Sequence, residues 1–596
     1  MGLVEGTFES GIYRAGEVRL SDLAGRRALP VGVSDFRTVL NNYVFIDKSL
    51  LIADVLSMPG ASLLYCRPRR FGKSLNLSML QAFLEDPSPS DPAASDTEDM
   101  FRGLAIWDAE GGRFREHHGA YPVVRLSFNN VKHATWEMTV GGIRQNVIAE
   151  YNRHSYLAES LRLNDAEKRA FAQMHSGAAP YDEFSGSLLL LTQLLQKHHR
   201  HPVVVLIDEY DAPVMAGYTH GYYDEVVGFL KSWLTGALKD NAALAVGVLT
   251  GVQRISKESI FSDLNNLIVN TSMSTVSDER YGFMQCEIDA LAAYRGQTGG
   301  VAQARAWYDG YRFGSVDVYN PWSVLNYFSN RCEPGVYWGN TSGNSVLGSV
   351  VGSSDDQVMT DLYQCMEPGA LVEKRLDLGI VFPDIGIRQD AIWSMLYLAG
   401  YLTTNDTANA TDVDVPRGLF IPNNEVRKLF RSEIVQRFSR EAGSRDRLDG
   451  LHRAFVEGDG AAVAGELERI LLENASYHDL TRESSYHTLL LGLLFGMPGY
   501  NDPVSNREAG RGRFDVRVQP IDPDLKPVIT IEAKWVAPDS AQASDLDGLA
   551  RAGLEQIAEG AYETGALAGS VGYVRWGIAF SGKSVACACE RSAARL

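Results

Sequence analysis

Cysteine is scarce: Cys66, Cys286, Cys332, Cys365, Cys587 and Cys589 are the six in 596 residues, too few for a disulfide framework. Cys587 and Cys589 form an isolated C-x-C with no His or Cys close by, which argues against a metal site there. Long apolar runs are missing too. The stretch from Leu489 to Phe495 falls far short of the ~20 residues that a membrane helix requires. The N-terminus carries Glu5, Glu9 and Glu17 and no uninterrupted apolar segment, which reads against a signal peptide. A soluble, cytoplasmic chain is therefore expected. Positive charge is short as well, and the net charge of -18 excludes a general polyanion-binding surface. Any nucleic-acid contact must come from local basic patches. No internal repeat is visible. What is present is ordinary for a globular protein, 45% hydrophobic and 22% charged residues, with length for several cores.

Residues 1 to 28 read as a loosely structured extension. A hydrophobic strand, Ala61 to Cys66, runs into a basic turn, and Leu75, Met79, Leu80 and Phe83 then recur at helical spacing. The segment from Asp86 to Asp99 is rich in Pro, Ser and Asp and reads as an exposed loop. Further strands are expected at Val123 to Phe128, at the VVVLI of 203 to 207 and at Leu244 to Leu249, with helical patterns filling 135 to 200. Strands separated by helices imply a parallel sheet with helices on both faces. Trp307, Tyr308, Tyr311, Phe313, Tyr319, Trp322 and Tyr327 crowd one segment, most simply as aromatic core. Towards the C-terminus the pattern predicts a helix from Tyr486 to Phe495. Strands near Phe514 to Val518 and Val528 to Trp535, a helix around 545 to 563 and a strand from Gly572 to Phe580 follow.

Two motifs carry chemistry in the first half. Gly72, Lys73 and Ser74 supply the end of a phosphate-binding loop, G-x-x-x-x-G-K-[ST], between a strand and a helix; Arg67 stands where the general pattern has its first Gly. Backbone N–H groups over Arg69, Arg70, Phe71, Gly72, Lys73 and Ser74 would cradle ATP phosphates at the helix N-terminus. Lys73 would contact the β- and γ-phosphates and the Ser74 hydroxyl would ligate Mg2+. Arg67, Arg69 and Arg70 add positive charge. The second motif is VVVLIDEYD, a buried strand ending in carboxylates, where ligands of open α/β sheets bind. Asp208 would hold magnesium and Glu209 would act as general base. Thr250, Gln253 and Arg254, past the fourth strand, are candidates for sensing the γ-phosphate.

The C-terminal part holds SNREAGRGRFDVRV followed by ITIEAKW. Alternation places Glu532 and Lys534 on one strand face. With Asp515 on a neighbouring strand, this donor set suits metal-assisted phosphodiester hydrolysis, Asp515 and Glu532 holding Mg2+ and Lys534 orienting water or stabilising charge. A salt-bridged strand pair explains the same spacing. Glu483 is a candidate to complete the acidic cluster and Gln556 to brace it. Arg507, Arg511 and Arg513, with Arg517, make the loop before Asp515 locally basic, which suits a phosphate backbone.

LPVGVSDFRTVLNNYVFIDKSLLI, RPRRFGKSLNLSML, VVVLIDEYDAP, LTGVQRISKESIFSDLNNL and WYDGYRFG…VYNPWSVLNYF resemble the bacterial AAA-ATPase-like family. YHTLLLGLL, SNREAGRGRFDV and IEAKW resemble the PD-(D/E)XK nuclease-type domain that accompanies it. The resemblance implies an N-terminal extension (1–28), a P-loop AAA-like ATPase domain with a parallel sheet (29–289), a mainly helical lid or connector (290–475) and a smaller α/β restriction-endonuclease-like domain (476–596). It also implies the metal roles of Asp515, Glu532 and Lys534. The family carries Arg at the position of Arg67. The function expected is an ATP-binding, ATP-hydrolysing protein whose C-terminal domain cuts DNA or RNA, in defence or mobile-element biology. A nucleotide-dependent switch whose nuclease-like domain only binds is the alternative. A homo-oligomer is compatible with both.

Overall fold

Val203–Asp208 is buried along its whole length, because a strand flanked by parallel neighbours and covered by helices on its faces has no wet side. In the computed structural model, which describes residues 6–87, 97–253, 264–339, 345–353, 355–367, 369–380, 388–408, 412–474, 483–564 and 570–593, this strand belongs to a five-stranded sheet. Its members are β1 (Ser62–Cys66), β2 (Val123–Ser127), β3 (Val203–Asp208), β4 (Leu244–Gly251) and β5 (Leu267–Asn270). The order across the sheet is β2-β3-β4-β1-β5, and every pairing is parallel. All the C-terminal strand ends therefore share one edge. β4 is inserted between β1, which leads into the glycine turn, and β3, which ends in the acids. Helix α1 (Lys73–Leu84) follows β1 and buries Leu77, Met79, Leu80 and Phe83. One core joins Leu64, Val124, Val205 and Leu249 of the sheet to Ile143, Leu191 and Leu230 of helices Trp136–Arg153, Ser187–His199 and Tyr223–Leu238.

The chain divides into two compact units, Met1–Thr341 with Val372–Val426, and Ser342–Leu371 with Arg427–Leu596. The stretch expected to connect the domains is thus shared between them. Residues 7–21, expected to be loosely structured, instead form three strands, Thr7–Glu9, Ile12–Ala15 and Val18–Ser21, paired with Phe45–Ile46. Tyr13, Leu20 and Ile46 pack on Ile288, Leu291 and Tyr308, so partners from distant sequence create this order. Lys48 and Glu287 make a buried ion pair at 2.6 Å. Tyr308, Tyr311, Phe313, Tyr319 and Tyr327 are core residues, as their density suggests. Residues 311–318 are not helical: Tyr311–Phe313 and Val316–Val318 form an antiparallel hairpin.

The second unit is built on α2 (Glu483–Leu493), β6 (Val504–Ala509), β7 (Gly512–Val518), β8 (Val528–Trp535), α3 (Leu546–Glu559), β9 (Gly572–Ser581) and β10 (Ser584–Ala593). The strands lie in sequence order, antiparallel except for the β8–β9 pair, which α3 connects. The helix lies close to the sheet because two glycines face each other. A Cβ on Gly577 would lie 1.8 Å from the Ala550 carbonyl oxygen, and one on Gly553 would lie 3.1 Å from Gly577 Cα.

Candidate functional site

The first candidate site starts at Gly72, which caps α1 with φ 81, a left-handed conformation that glycine adopts without strain. A Cβ there would meet nothing within 4 Å. The first turn of α1 has neither a side-chain cap nor an acidic residue, leaving its N–H groups suited to an anion. Lys73 is buried, and its Nζ donates to the carbonyl oxygens of Arg67 and Pro68, both at 2.8 Å. Burial lowers its ammonium pKa, while Glu209, Asp211 and Asp208 pull the other way. Lys73 and the acids after β3 are thus brought together across β4.

The ends of β3 and β4 are clamped to each other. Thr250 Oγ1 donates to Asp208 Oδ1 at 2.6 Å, and the Tyr210 hydroxyl donates to the Gln253 carbonyl at 2.7 Å. Asp211 Oδ2 accepts from the backbone N–H groups of Val252 at 2.8 Å and Gln253 at 3.1 Å. Burial raises the Asp211 pKa. Glu209 has φ 51, rare for a residue with a side chain, which turns the chain sharply at the strand end. Its carboxylate pairs with Lys132 Nζ at 3.5 Å. Thr250 is fully buried and its hydroxyl donates to Asp208, so in this arrangement it orients a carboxylate. Gln253 is buried too, and Arg254 lies outside the described residues.

Four basic or aromatic residues of the turn behave differently from one another. Arg67 adds no charge to a ligand site. Its fully buried guanidinium ties β1 to β5 through the Asn270 carbonyl at 3.0 Å and Asn270 Oδ1 at 2.6 Å. Phe71 is wedged against Tyr311 and Phe313, with ring centroids 5.0 and 5.1 Å away, so only its backbone is left for a phosphate cradle. Arg70 is exposed and lies over Trp322 at 4.3 Å, and Arg69 reaches Met215. The aromatic hairpin therefore backs the turn. Asp211, Tyr210 and Lys132 were invisible as site residues in the sequence, since nothing local marks a carboxylate that binds the end of another strand.

In the second unit the β7–β8 ladder closes at Val516–Ile531, and the next residues along it are Asp515 and Glu532. Asp515 Oδ2 accepts the Ala533 N–H at 2.7 Å, and the His487 Nε2 atom of α2 lies 3.1 Å from the Asp515 carbonyl. Lys534 Nζ reaches Glu532 Oε1 at 3.0 Å, so the two do share a face. Gln556 of α3 accepts from Lys534 through its carbonyl oxygen and donates its amide to Glu532 Oε1. Tyr562 lies 3.3 Å beyond the same amide. Glu532 is buried, and its Oε2 has no partner. Burial first, and then Asp515, push its carboxyl up to about 7, against the pull of Lys534. Glu483 is exposed at the start of α2 and adds to that upward push. A buried orphan oxygen beside a second carboxylate is a donor set for a hard divalent cation. Among the described residues, no group of three or more His, Cys, Asp or Glu side chains is placed to hold a metal.

The basic hairpin is partly neutralised. Arg507 pairs with Glu367 at 2.6 Å and Arg513 with Glu508 at 3.3 Å. Arg511 is exposed at the tip, where its N–H donates to the Gly560 carbonyl at 2.7 Å. Arg517 is buried and stacks over Phe514 at 4.1 Å, away from any solvent-facing role.

Residues 30–261 match the AAA-ATPase-like family, whose description is predicted AAA-ATPase. The match supports ATP binding by this stretch, which contains Lys73, Asp208 and Glu209 and ends well before Asp515. An uncharacterised protein in the vnfD 5′ region of Azotobacter chroococcum mcd 1 is 26% identical over 432 residues, 71% of this chain and 73% of its own length. No helix among the described residues is long and apolar enough to cross a membrane.

Proposed function

We propose that the chain binds and hydrolyses ATP at the turn of residues 67–74, a P-loop, and that its second unit is a PD-(D/E)XK-type, metal-dependent nuclease. The observation that carries the first part is the convergence of Lys73, the open N-terminus of α1 and the carboxylates of Asp208 and Glu209 on one sheet edge, inside the family match. Backbone N–H groups of the turn hold the phosphates, and Lys73 leaves its two carbonyl partners to reach them. Ser74 and Asp208 offer the hard oxygens that Mg2+ prefers. Glu209, turned out of the strand by its backbone, takes the proton of the attacking water. Thr250 keeps the Asp208 carboxylate oriented.

For the second unit the supporting observation is the orphaned, buried Glu532 Oε2 beside Asp515. These carboxylates would hold Mg2+, which when bound polarises the phosphodiester and acidifies water. Lys534, fixed by Gln556, supplies positive charge to the developing transition state. The ion pairs of Arg507 and Arg513 favour a second reading, in which this unit is a non-catalytic module of a nucleotide-dependent switch. Calorimetry with Mg-ATP tests the first part: Lys73→Ala should bind at least about tenfold more weakly, and equal affinity overturns it. Labelled DNA and RNA incubated with Mg2+ test the second. Cleavage should vanish in the Asp515→Ala/Glu532→Ala double variant, and no cleavage by the wild type, with or without ATP, favours the switch.

A further inference from the structure

Of the aromatic residues crowded between Trp307 and Tyr327, Tyr308, Tyr311, Phe313, Tyr319 and Tyr327 are buried, whereas Trp322 is only half-buried. It stands in the first turn of helix Pro321–Ser329, which Asn320 caps by accepting the Ser323 N–H at 3.3 Å. Its indole N–H donates to the Tyr337 carbonyl at 3.1 Å. One buried carboxylate ties both sides of this arrangement together. Glu425 Oε2 accepts the Ser323 hydroxyl at 2.6 Å, and its Oε1 accepts the N–H groups of Tyr337 at 2.6 Å and Trp338 at 2.7 Å. A side chain partly open to solvent is thus held as firmly as a core residue.

Over this ring lies the guanidinium of Arg70, 4.3 Å from its centroid. Arg70 belongs to the glycine turn itself, is exposed, and has φ 68, a left-handed conformation that residues with a side chain rarely take. A second turn, at residues 29–33, borders the indole. A Cβ on Gly32, which has φ 78, would lie 3.8 Å from Trp322 Cζ3 and 3.9 Å from Cη2. The braced ring is therefore within reach of one flexible cation from the turn where phosphates are expected. A cation over an exposed aromatic face is weakly held. A phosphate offers a guanidinium the stronger, charge-assisted partner. A ribose with its first phosphate spans about as far as an extended arginine side chain, so a nucleotide anchored at the turn can lay its base where the Arg70 guanidinium lies.

We propose that Trp322 is the nucleobase platform of the ATP site: the base stacks on the indole face that Arg70 vacates, and Arg70 moves onto the phosphates. This rests on the reading of the glycine turn as an ATP site. The two groups that hold each other, cation and ring, then separate to take the two ends of the ligand. Every nucleobase has a π-face, so stacking distinguishes a nucleotide from bare polyphosphate. Glu425 is a positioning residue for this step, since it fixes the helix turn that carries the indole and the strand of backbone that its N–H meets.

Calorimetry of the full-length protein with Mg-ATP and with Mg-tripolyphosphate tests this. Trp322→Leu keeps an apolar side chain but no ring. It should bind ATP about tenfold more weakly, the loss expected for one stacked base, and tripolyphosphate as tightly as the wild type does. Trp322→Phe restores a ring and should recover most of the ATP affinity. With the thermal midpoint unchanged, equal weakening of both ligands, or of neither, overturns the platform and leaves the phosphate site standing. A wild type that binds neither ligand removes the phosphate site and the platform together. If Trp322→Leu is poorly folded, photolabelling of the wild type with 8-azido-ATP decides. Label that ATP competes away should fall on the peptide holding Trp322 or on residues 29–33, and label confined to other segments overturns the proposal.

Discussion

Glu532 shows how one side chain can be poised by its neighbours. One carboxylate oxygen is engaged by Lys534 and Gln556, and the other is buried without a partner. Burial and Asp515 raise its pKa to about 7, so near neutrality a proton competes with any cation for the same oxygens. The sign follows directly. A raised carboxyl pKa means that the proton is bound below about 7 and released above it, so Mg2+ affinity should climb with pH and level off above that point. Below it, each pH unit should weaken binding by up to about tenfold. Calorimetric Mg2+ titrations at pH 6 and pH 8 would check this, and in Glu532→Gln the difference should disappear. A wild-type affinity independent of pH over this range would show that Glu532 is not a ligand. In the first unit, Thr250 and Asp211 act at the same scale by holding Asp208 and the end of β4 in place.

At the scale of elements, α3 decides the geometry of the second site. Gly553 and Gly577 let its backbone settle onto β8 and β9, and Gln556, one turn after Gly553, then falls beside Glu532 and Lys534. Gly577→Ala has no room: its Cβ would stand 1.8 Å from a backbone oxygen of the helix. Backbone cannot rotate aside as a side chain can, so the helix must lift. The expected cost is about 3 kcal/mol or more, read as a lower denaturant midpoint for the second unit, together with weaker Mg2+ binding. A wild-type midpoint would show that α3 can sit elsewhere. In the first unit the corresponding element is the aromatic hairpin. Tyr311 and Phe313 grip Phe71, and Trp322 underlies Arg70, so the conformation of the glycine turn depends on residues about 240 positions further along the chain.

Over the whole molecule, a net charge of -18 repels polyanions, and attraction to nucleic acid has to be local. Were Arg507, Arg511 and Arg513 all to meet phosphates of duplex DNA, log affinity would fall with log salt at a slope of about -2.7. Two of the three already have carboxylate partners, Glu367 and Glu508. The slope expected is therefore nearer about -1, with Arg511→Ala flattening it further and Glu367→Gln, which frees Arg507, steepening it. Salt titrations of oligonucleotide binding in Ca2+ would measure these slopes. Identical slopes in wild type and Arg511→Ala would remove the hairpin as the contact surface.

Apolar patterning alone located β1 to β4 and α1, because burial on both faces of a parallel strand and along one stripe of a helix is written into local composition. Strand alternation likewise placed Glu532 and Lys534 on one face. The short strands at 7–21, β5 and β10 were not legible, since their order comes from pairing with distant segments. Nor could local sequence tell that Arg67 is a buried tie between strands while Arg70, three residues on, is exposed. The destination of a long cationic side chain depends on which acceptors surround it, here Asn270 from another strand. The same reason separates Asp208, announced by its strand, from Asp211, whose work is done on backbone some forty residues away. Periodicity says which way a side chain points; only the folded chain decides what it meets there.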